Sequence, residues 1–154
     1  MAKPEFQNCF ILWIEEQYEE YDPLLDDLRE LVGPEHIVVV RTENEGRSQL
    51  REHAFDLVLL DLMLPRNEDE RKAGLIRLEA GTRLLHELRQ NEGWATHRDC
   101  NVVVLTARGN PEALKEVEDL LSSHGCLIQK PIPIEDIVQK VKNVLEELQR
   151  ERKT

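Results

Sequence analysis

Asp61, Thr106 and Lys130 each stand where an apolar run stops. Asp61 follows Phe55-Asp56-Leu57-Val58-Leu59-Leu60 and precedes Leu62-Met63-Leu64-Pro65. Thr106 follows Val102-Val103-Val104-Leu105, and Lys130 follows Cys126-Leu127-Ile128-Gln129. An acidic pair, Glu15-Glu16, follows a fourth run, Phe10-Ile11-Leu12-Trp13-Ile14. A carboxylate, a hydroxyl and an ammonium suit phosphate chemistry, because phosphoryl transfer needs positioning and charge neutralisation more than covalent help from the protein. Lysine supplies a compact cation and threonine a hydrogen bond. Paired carboxylates suit Mg²⁺, which takes carboxylate oxygens and keeps several waters.

These residues need a scaffold that brings run ends together. Short apolar runs alternate with helical periodicity along the chain. Strands are expected at 9–14, 36–41, 56–60, 102–105 and 126–129, and helices at 22–31, 44–53, 79–91, 111–123 and 133–150. The run before Asp61 carries no charge after Asp56, which reads as a strand buried on both faces. Alternation of this kind predicts βαβ units around a parallel sheet, with right-handed crossovers placing helices on both faces. Open α/β sheets place their chemistry at the carboxyl ends of the strands. Asp22-Pro23 and Asn110-Pro111 read as helix starts, and Gly33-Pro34 and Gly125 as stops. The last helix carries Ile134, Ile137, Val138, Val141, Val144, Leu145 and Leu148 on one face and is expected to fray into the charged tail 151–154. Residues 66–80 form a connection far longer than the usual 2–6 residues of a βα loop.

At 154 residues the chain suits one domain, read as 1–150. Hydrophobic residues make up 40%, enough for a core. The net charge of −11 repels nucleic-acid phosphates and anionic lipid, so direct binding to either is not expected. Cys9, Cys100 and Cys126 have no metal spacing and cannot all pair, which favours a reducing cytosol. No apolar stretch approaches the roughly 20 residues of a membrane span. The N-terminus lacks a signal-peptide pattern, so a cytoplasmic location is expected. His36, His53, His86, His97 and His124 are scattered without ligand spacing, and Trp13 and Trp94 read as packing residues.

Asp61-Leu62-Met63-Leu64-Pro65, Leu105-Thr106-Ala107-Arg108 and Lys130-Pro131, in that order, give the chain a resemblance to the response-regulator receiver domains of two-component signalling (the CheY-like superfamily). The resemblance covers nearly the whole chain. It implies a flavodoxin-like α/β fold, a three-layer doubly wound sandwich with a five-stranded parallel sheet of order 2-1-3-4-5. It implies that Asp61 accepts a phosphoryl group from a kinase histidine. It places Mg²⁺ on Glu15, Glu16, Asp61 and the backbone carbonyl of Met63, and the phosphoryl oxygens on Thr106 and Lys130. The implied partners are a sensor histidine kinase or phosphotransfer protein and a downstream protein, with homodimerisation a further possibility. No helix-turn-helix, cyclase or methylesterase segment follows residue 150, so a stand-alone receiver is expected.

The pattern departs from the family in three places. The second acidic position usually holds aspartate, and here it is Glu16. The extra methylene displaces the carboxylate by about one carbon–carbon bond, while Mg²⁺ demands a near-ideal octahedron at ~2.0–2.1 Å, so weak binding is expected. The aromatic switch position holds Leu127. The insertion at 66–80 is the third; it is expected to form a short helical turn beside the site, where Leu75, Ile76 and Leu78 need a partner or a fold-back surface.

Blander readings stand beside these. A strand-end aspartate is often only a turn residue, and Glu15-Glu16 continue into a solvated acidic stretch ending at Glu20. Glu16 and Leu127 suit a phosphorylation-independent pseudo-receiver. A hydrolase of the haloacid dehalogenase type also uses an aspartate nucleophile, but wants a second aspartate where this chain has Met63. A flavin-binding protein would need a hydroxyl-rich loop where Glu15-Glu16 repel phosphate.

Overall fold

The computed structural model describes residues 3–107 and 110–153. Arg108, which ends the second motif, lies outside the described residues. Five strands form one sheet: β1 (Ile11–Ile14), β2 (Ile37–Val40), β3 (Leu57–Leu60), β4 (Asn101–Thr106) and β5 (Gly125–Gln129). They lie in the order β2-β1-β3-β4-β5, and every neighbouring pair is parallel. The helices are α1 (Asp22–Val32), α2 (Glu43–Glu52), α3 (Glu68–Lys72), α4 (Ala80–Gln90), α5 (Pro111–Leu121) and α6 (Ile134–Lys153).

The period-2 direction of strand side chains builds two cores from the same runs. Leu12, Ile14, Val58, Leu60, Val102 and Val104 face α2, α4 and α5. Ile11, Trp13, Leu57, Leu59, Val103 and Leu105 face α1 and α6. Both faces of β1 and β3 are buried, which is why those runs carry no charge. Each fully buried Leu or Ile contributes about 1.5–3 kcal/mol of transfer free energy. β2 is an edge strand, and Ile37, Val38 and Val39 are only half-buried.

The ends of the elements follow local chemistry. Gly33 closes α1 at φ +98°, a region that favours glycine. Asn110 caps α5, its side-chain oxygen accepting from the Glu112 amide at 3.0 Å. Thr42 caps α2 by accepting from the Glu45 amide at 3.1 Å, so that helix begins one residue earlier than expected. Asp22 is not a cap: it is the first residue of α1, behind a 3-10 turn at Tyr18–Tyr21 that the sequence pattern does not announce. Gly125 is not a stop either. It opens β5, and α5 ends at Leu121 with Ser122 in the left-handed region at φ 53°.

The charged tail does not fray after Arg150. α6 continues to Lys153, and the Arg152 guanidinium pairs with Asp56, whose other carboxylate oxygen accepts from the Phe10 amide at 2.7 Å. A second arginine joins the far end of the other face. Arg89 donates to the carbonyls of Leu120, Arg98, Cys100 and His124 at 2.6–3.1 Å, which ties α4 to the loops flanking β4 and β5.

Candidate functional site at the carboxyl ends of the strands

Parallel pairing brings the polar run ends to one rim of the sheet. Ile14 pairs with Leu60, so Glu15 and Asp61 leave adjacent strands side by side. The Asp61 amide donates to the Ile14 carbonyl at 3.1 Å, and the Glu15 amide to the Val40 carbonyl at 2.9 Å. Thr106 ends β4 and is fully buried. The Lys130 amide donates to the Thr106 carbonyl at 2.8 Å, which carries the register one residue past β5. The Lys130–Pro131 peptide is cis.

Lys130 lies between two carboxylates. Its Nζ is 2.7 Å from Glu15 Oε1 and 3.6 Å from Asp61 Oδ2. Both carboxylates are buried, Glu15 at 4% and Asp61 at 7% exposure. Asp61 Oδ1 accepts from the Met63 amide at 3.0 Å. Burial pushes the Asp61 carboxyl up to about 7, and the Glu15 charge adds to that; the Lys130 ammonium and the Met63 N–H oppose it. For Lys130, burial pulls downward, but attraction to Asp61 and Glu15 outweighs it and the ammonium is held above its ordinary value. Two carboxylates and one ammonium therefore share a space largely closed to water.

The expected metal ligands are Glu15, Glu16, Asp61 and the Met63 carbonyl. Glu15 and Asp61 offer hard oxygen donors, the chemistry Mg²⁺ takes. Glu16 is half-exposed, and its backbone carbonyl accepts from Arg41 at 2.9 Å. Met63 meets Asp61 through its N–H; the carbonyl is the atom expected to hold a metal. Among the described residues, no group of three or more His, Cys, Asp and Glu side chains is gathered as a metal cluster. Glu15 and Asp61 therefore offer oxygen donors that suit a hard cation.

The backbone under Asp61 is fixed by α4. The Gly81 amide donates to the Leu62 carbonyl at 2.9 Å, and a Cβ at Gly81 would collide with the Asp61 carbonyl and the Leu62 Cα. Only glycine lets the helix start this close. Beside it, residues 66–80 form a stapled excursion. Asn67 caps α3, accepting from the Glu70 amide at 2.9 Å. The Glu70 carboxylate takes two hydrogen bonds from Arg77, at 2.6 and 3.1 Å, and one from the Arg66 amide at 3.0 Å. Leu64 and Arg77 form an antiparallel bridge. The expected helical turn is present, but Leu75, Ile76 and Leu78 remain exposed instead of folding back.

No family model matches the sequence, and no curated protein matches it. Solved structures do. A CheY-like response regulator receiver domain protein from Methanospirillum hungatei JF-1 matches with a TM-score of 0.68 at 22% identity, over 93% of this chain and 98% of that one. This chain has the receiver fold. The phosphorylated cyanobacterial phytochrome response regulator RcpA matches with a TM-score of 0.66 at 24% identity, over 90% and 91% of the two chains. The signal receiver domain of a LuxO-type repressor protein from Vibrio parahaemolyticus matches at 0.69 and 18% identity, over 94% and 95%. These likenesses establish the architecture, with its five parallel strands in the order 2-1-3-4-5.

On this receiver scaffold, Glu15, Asp61, Thr106 and Lys130 converge on one rim, and Glu16 stands at its edge. The other singled-out residues lie elsewhere. His86 Nε2 is 2.8 Å from Glu116, on the outer surface of α4 and α5. Trp13 is buried, and Trp94 packs against the core. Leu127 is half-buried against the same core. Concavities of about 440 and 430 Å³ lie between α4 and α5 and beside β2, and neither is lined by Asp61, Glu15 or Lys130.

Three residues at the rim are not marked by the sequence pattern. Tyr21 places its ring centroid 4.9 Å from Lys130 Nζ. Arg41 stacks on Tyr18 at 4.4 Å and pairs with Glu19. Gly81 makes the close approach described above. Each depends on a neighbour distant in sequence, so composition gave no signal for Tyr21 or Arg41. A glycine near the start of a helix pattern was the one visible sign of Gly81.

Proposed function

We propose that this chain is a phospho-accepting receiver. The observation that carries the proposal is the Asp61 carboxylate, buried at the strand rim with Lys130 Nζ 3.6 Å away. An Asp61 oxygen attacks phosphorus in a phosphohistidine of a sensor kinase or phosphotransfer protein. A P–O bond forms as the P–N bond breaks, and the electron pair leaves with the imidazole. The product is an acyl phosphate on Asp61. Lys130 neutralises charge on the transferred group, and Thr106, buried at the end of β4, would donate a hydrogen bond to it. Mg²⁺ held by Glu15 and Asp61, with the Met63 carbonyl and weakly Glu16, would supply further charge neutralisation. The output is a protein–protein contact with a downstream partner or a second copy of the chain, not turnover of a small molecule. The acidic surface favours such a partner over nucleic acid or membrane, and a cytosolic setting suits the free thiols.

A second reading has its own observation. Lys130 is nearer to Glu15 than to Asp61, so its ammonium already has an internal partner. A pseudo-receiver locked by that internal ion pair would signal without phosphate. Incubation with Mg²⁺ and acetyl phosphate, followed by intact-mass measurement, separates the two. A receiver gains one labile phosphoryl group, and Asp61→Asn gains none. Equal labelling of both proteins, or of neither, contradicts the proposal.

A further inference from the structure

We propose that Tyr21 is a positioning residue for Lys130: its ring is the wall that keeps the ammonium between Glu15 and Asp61, where an incoming phosphoryl group would meet it. This role depends on Asp61 being the acceptor, as proposed above.

Lysine carries its charge on a flexible four-carbon stem, so the position of the ammonium must be imposed from outside. Among the described residues, three groups flank it. Glu15 Oε1 lies at 2.7 Å and takes a direct hydrogen bond. Asp61 Oδ2 lies at 3.6 Å, too far for one. The Tyr21 ring centroid lies at 4.9 Å. Only 14% of the Lys130 side chain is exposed. Glu15 alone would draw the ammonium towards β1. The negative face of an aromatic ring attracts the same cation without consuming one of its N–H donors. A donor therefore stays available on the Asp61 side.

The ring is itself held in place. Tyr21 closes the 3-10 turn at Tyr18–Tyr21 and immediately precedes α1. Its edge meets Trp13 at 6.5 Å and 67°, and Trp13 is buried in β1 two residues before Glu15. The same strand thus supports both the carboxylate and the ring that flank Lys130. At the other end of the turn, Arg41 stacks on Tyr18, donates to the Glu16 carbonyl and pairs with Glu19. The turn is pinned at both ends, so the ring position is set before any phosphoryl group arrives.

The test compares phenylalanine, pentafluorophenylalanine and leucine at position 21. The two aromatic variants have nearly the same shape, but fluorination reverses the charge of the ring face. The readouts are the labelling rate at saturating acetyl phosphate with Mg²⁺ and the chemical shift of the Lys130 ε-methylene in ¹³C-lysine protein. The expected result is that Tyr21→Phe retains most of the wild-type rate. The pentafluoro variant and Tyr21→Leu should fall roughly tenfold, the size of a desolvated cation–ring contact. The upfield ring-current shift of Lys130 should persist in Tyr21→Phe and vanish in Tyr21→Leu. Equal rates for phenylalanine and its pentafluoro analogue overturn the proposal, and that pair decides the matter even if Tyr21→Leu does not fold. Equal loss in every variant also overturns it, since packing or the hydroxyl would then be responsible. A wild-type protein that takes up no phosphoryl group contradicts the receiver assignment itself, and the role of Tyr21 falls with it.

Discussion

Asp61 holds its proton more tightly in the folded chain than an unfolded aspartate does, because it is buried and faces Glu15. Its carboxyl moves from the ordinary 3.8 up to about 7. The folded state therefore binds more protons than the unfolded state between those values. Stability from this group is fully present below about pH 4 and is lost as pH rises through about 7. Asparagine keeps the shape and removes the charge. Asp61→Asn should raise stability at pH 8 by about 1–3 kcal/mol, with the gain shrinking towards zero near pH 4. Denaturant melts of the two proteins across that range measure it. A gain independent of pH, or a loss at pH 8, would mean that Asp61 is not strained by its surroundings. A phosphoryl group on Asp61 would add negative charge beside Glu15, which is why the proposed chemistry needs Lys130 and a hard cation to neutralise it.

The elements were mostly legible, for a definite reason. Each strand is a short apolar run buried between helices, so period and length identify it without reference to its neighbours. Helix ends were harder. Thr42 was missed as a cap because α2 is polar, and its start carries no apolar marker. Glycine after a helix pattern suits a cap, so Gly125 reads as a stop, yet it opens β5. The tail after Arg150 reads as fraying because the partner of Arg152, Asp56, is distant in sequence. Asp61, Thr106 and Lys130 were readable because strand ends are visible in sequence. Tyr21 and Arg41 were not, since a cation over a ring is a tertiary contact. The 66–80 excursion was legible as an anomaly of length, not as a structure stapled by Glu70. That excursion is separable from the core: its apolar side chains are exposed, and its Arg71–Glu68 and Arg77–Glu70 ion pairs lie within it, while Glu79 reaches Arg83 of α4 at 3.9 Å. Replacing 67–79 with a two-residue glycine linker should leave the melting temperature within a few degrees, because loop length costs only about 0.6 kcal/mol per doubling. The replacement should alter phosphotransfer from a protein donor more than labelling by acetyl phosphate, since Leu75, Ile76 and Leu78 are exposed on a segment that bridges to Leu64, three residues after Asp61. Unchanged rates from both donors would make the segment passive. A chain that failed to fold would place it in the core.

For the whole molecule, the receiver fold gathers one rim from residues spread between Glu15 and Lys130, and parallel pairing brings them together. No helix among the described residues is long and apolar enough to cross a membrane. The negative charge of the chain and the exposed apolar segment beside Asp61 both point the proposed activity towards proteins. All of this depends on Asp61 as the acceptor. The direct measurement is reductive trapping: the protein is incubated with Mg²⁺ and acetyl phosphate, reduced with borohydride, digested and read by peptide mass spectrometry. An aspartyl phosphate at position 61 is converted to homoserine there and nowhere else, which is the predicted result. Homoserine at another aspartate, reduction at Glu15, or an unmodified Asp61 in fully treated protein would contradict it.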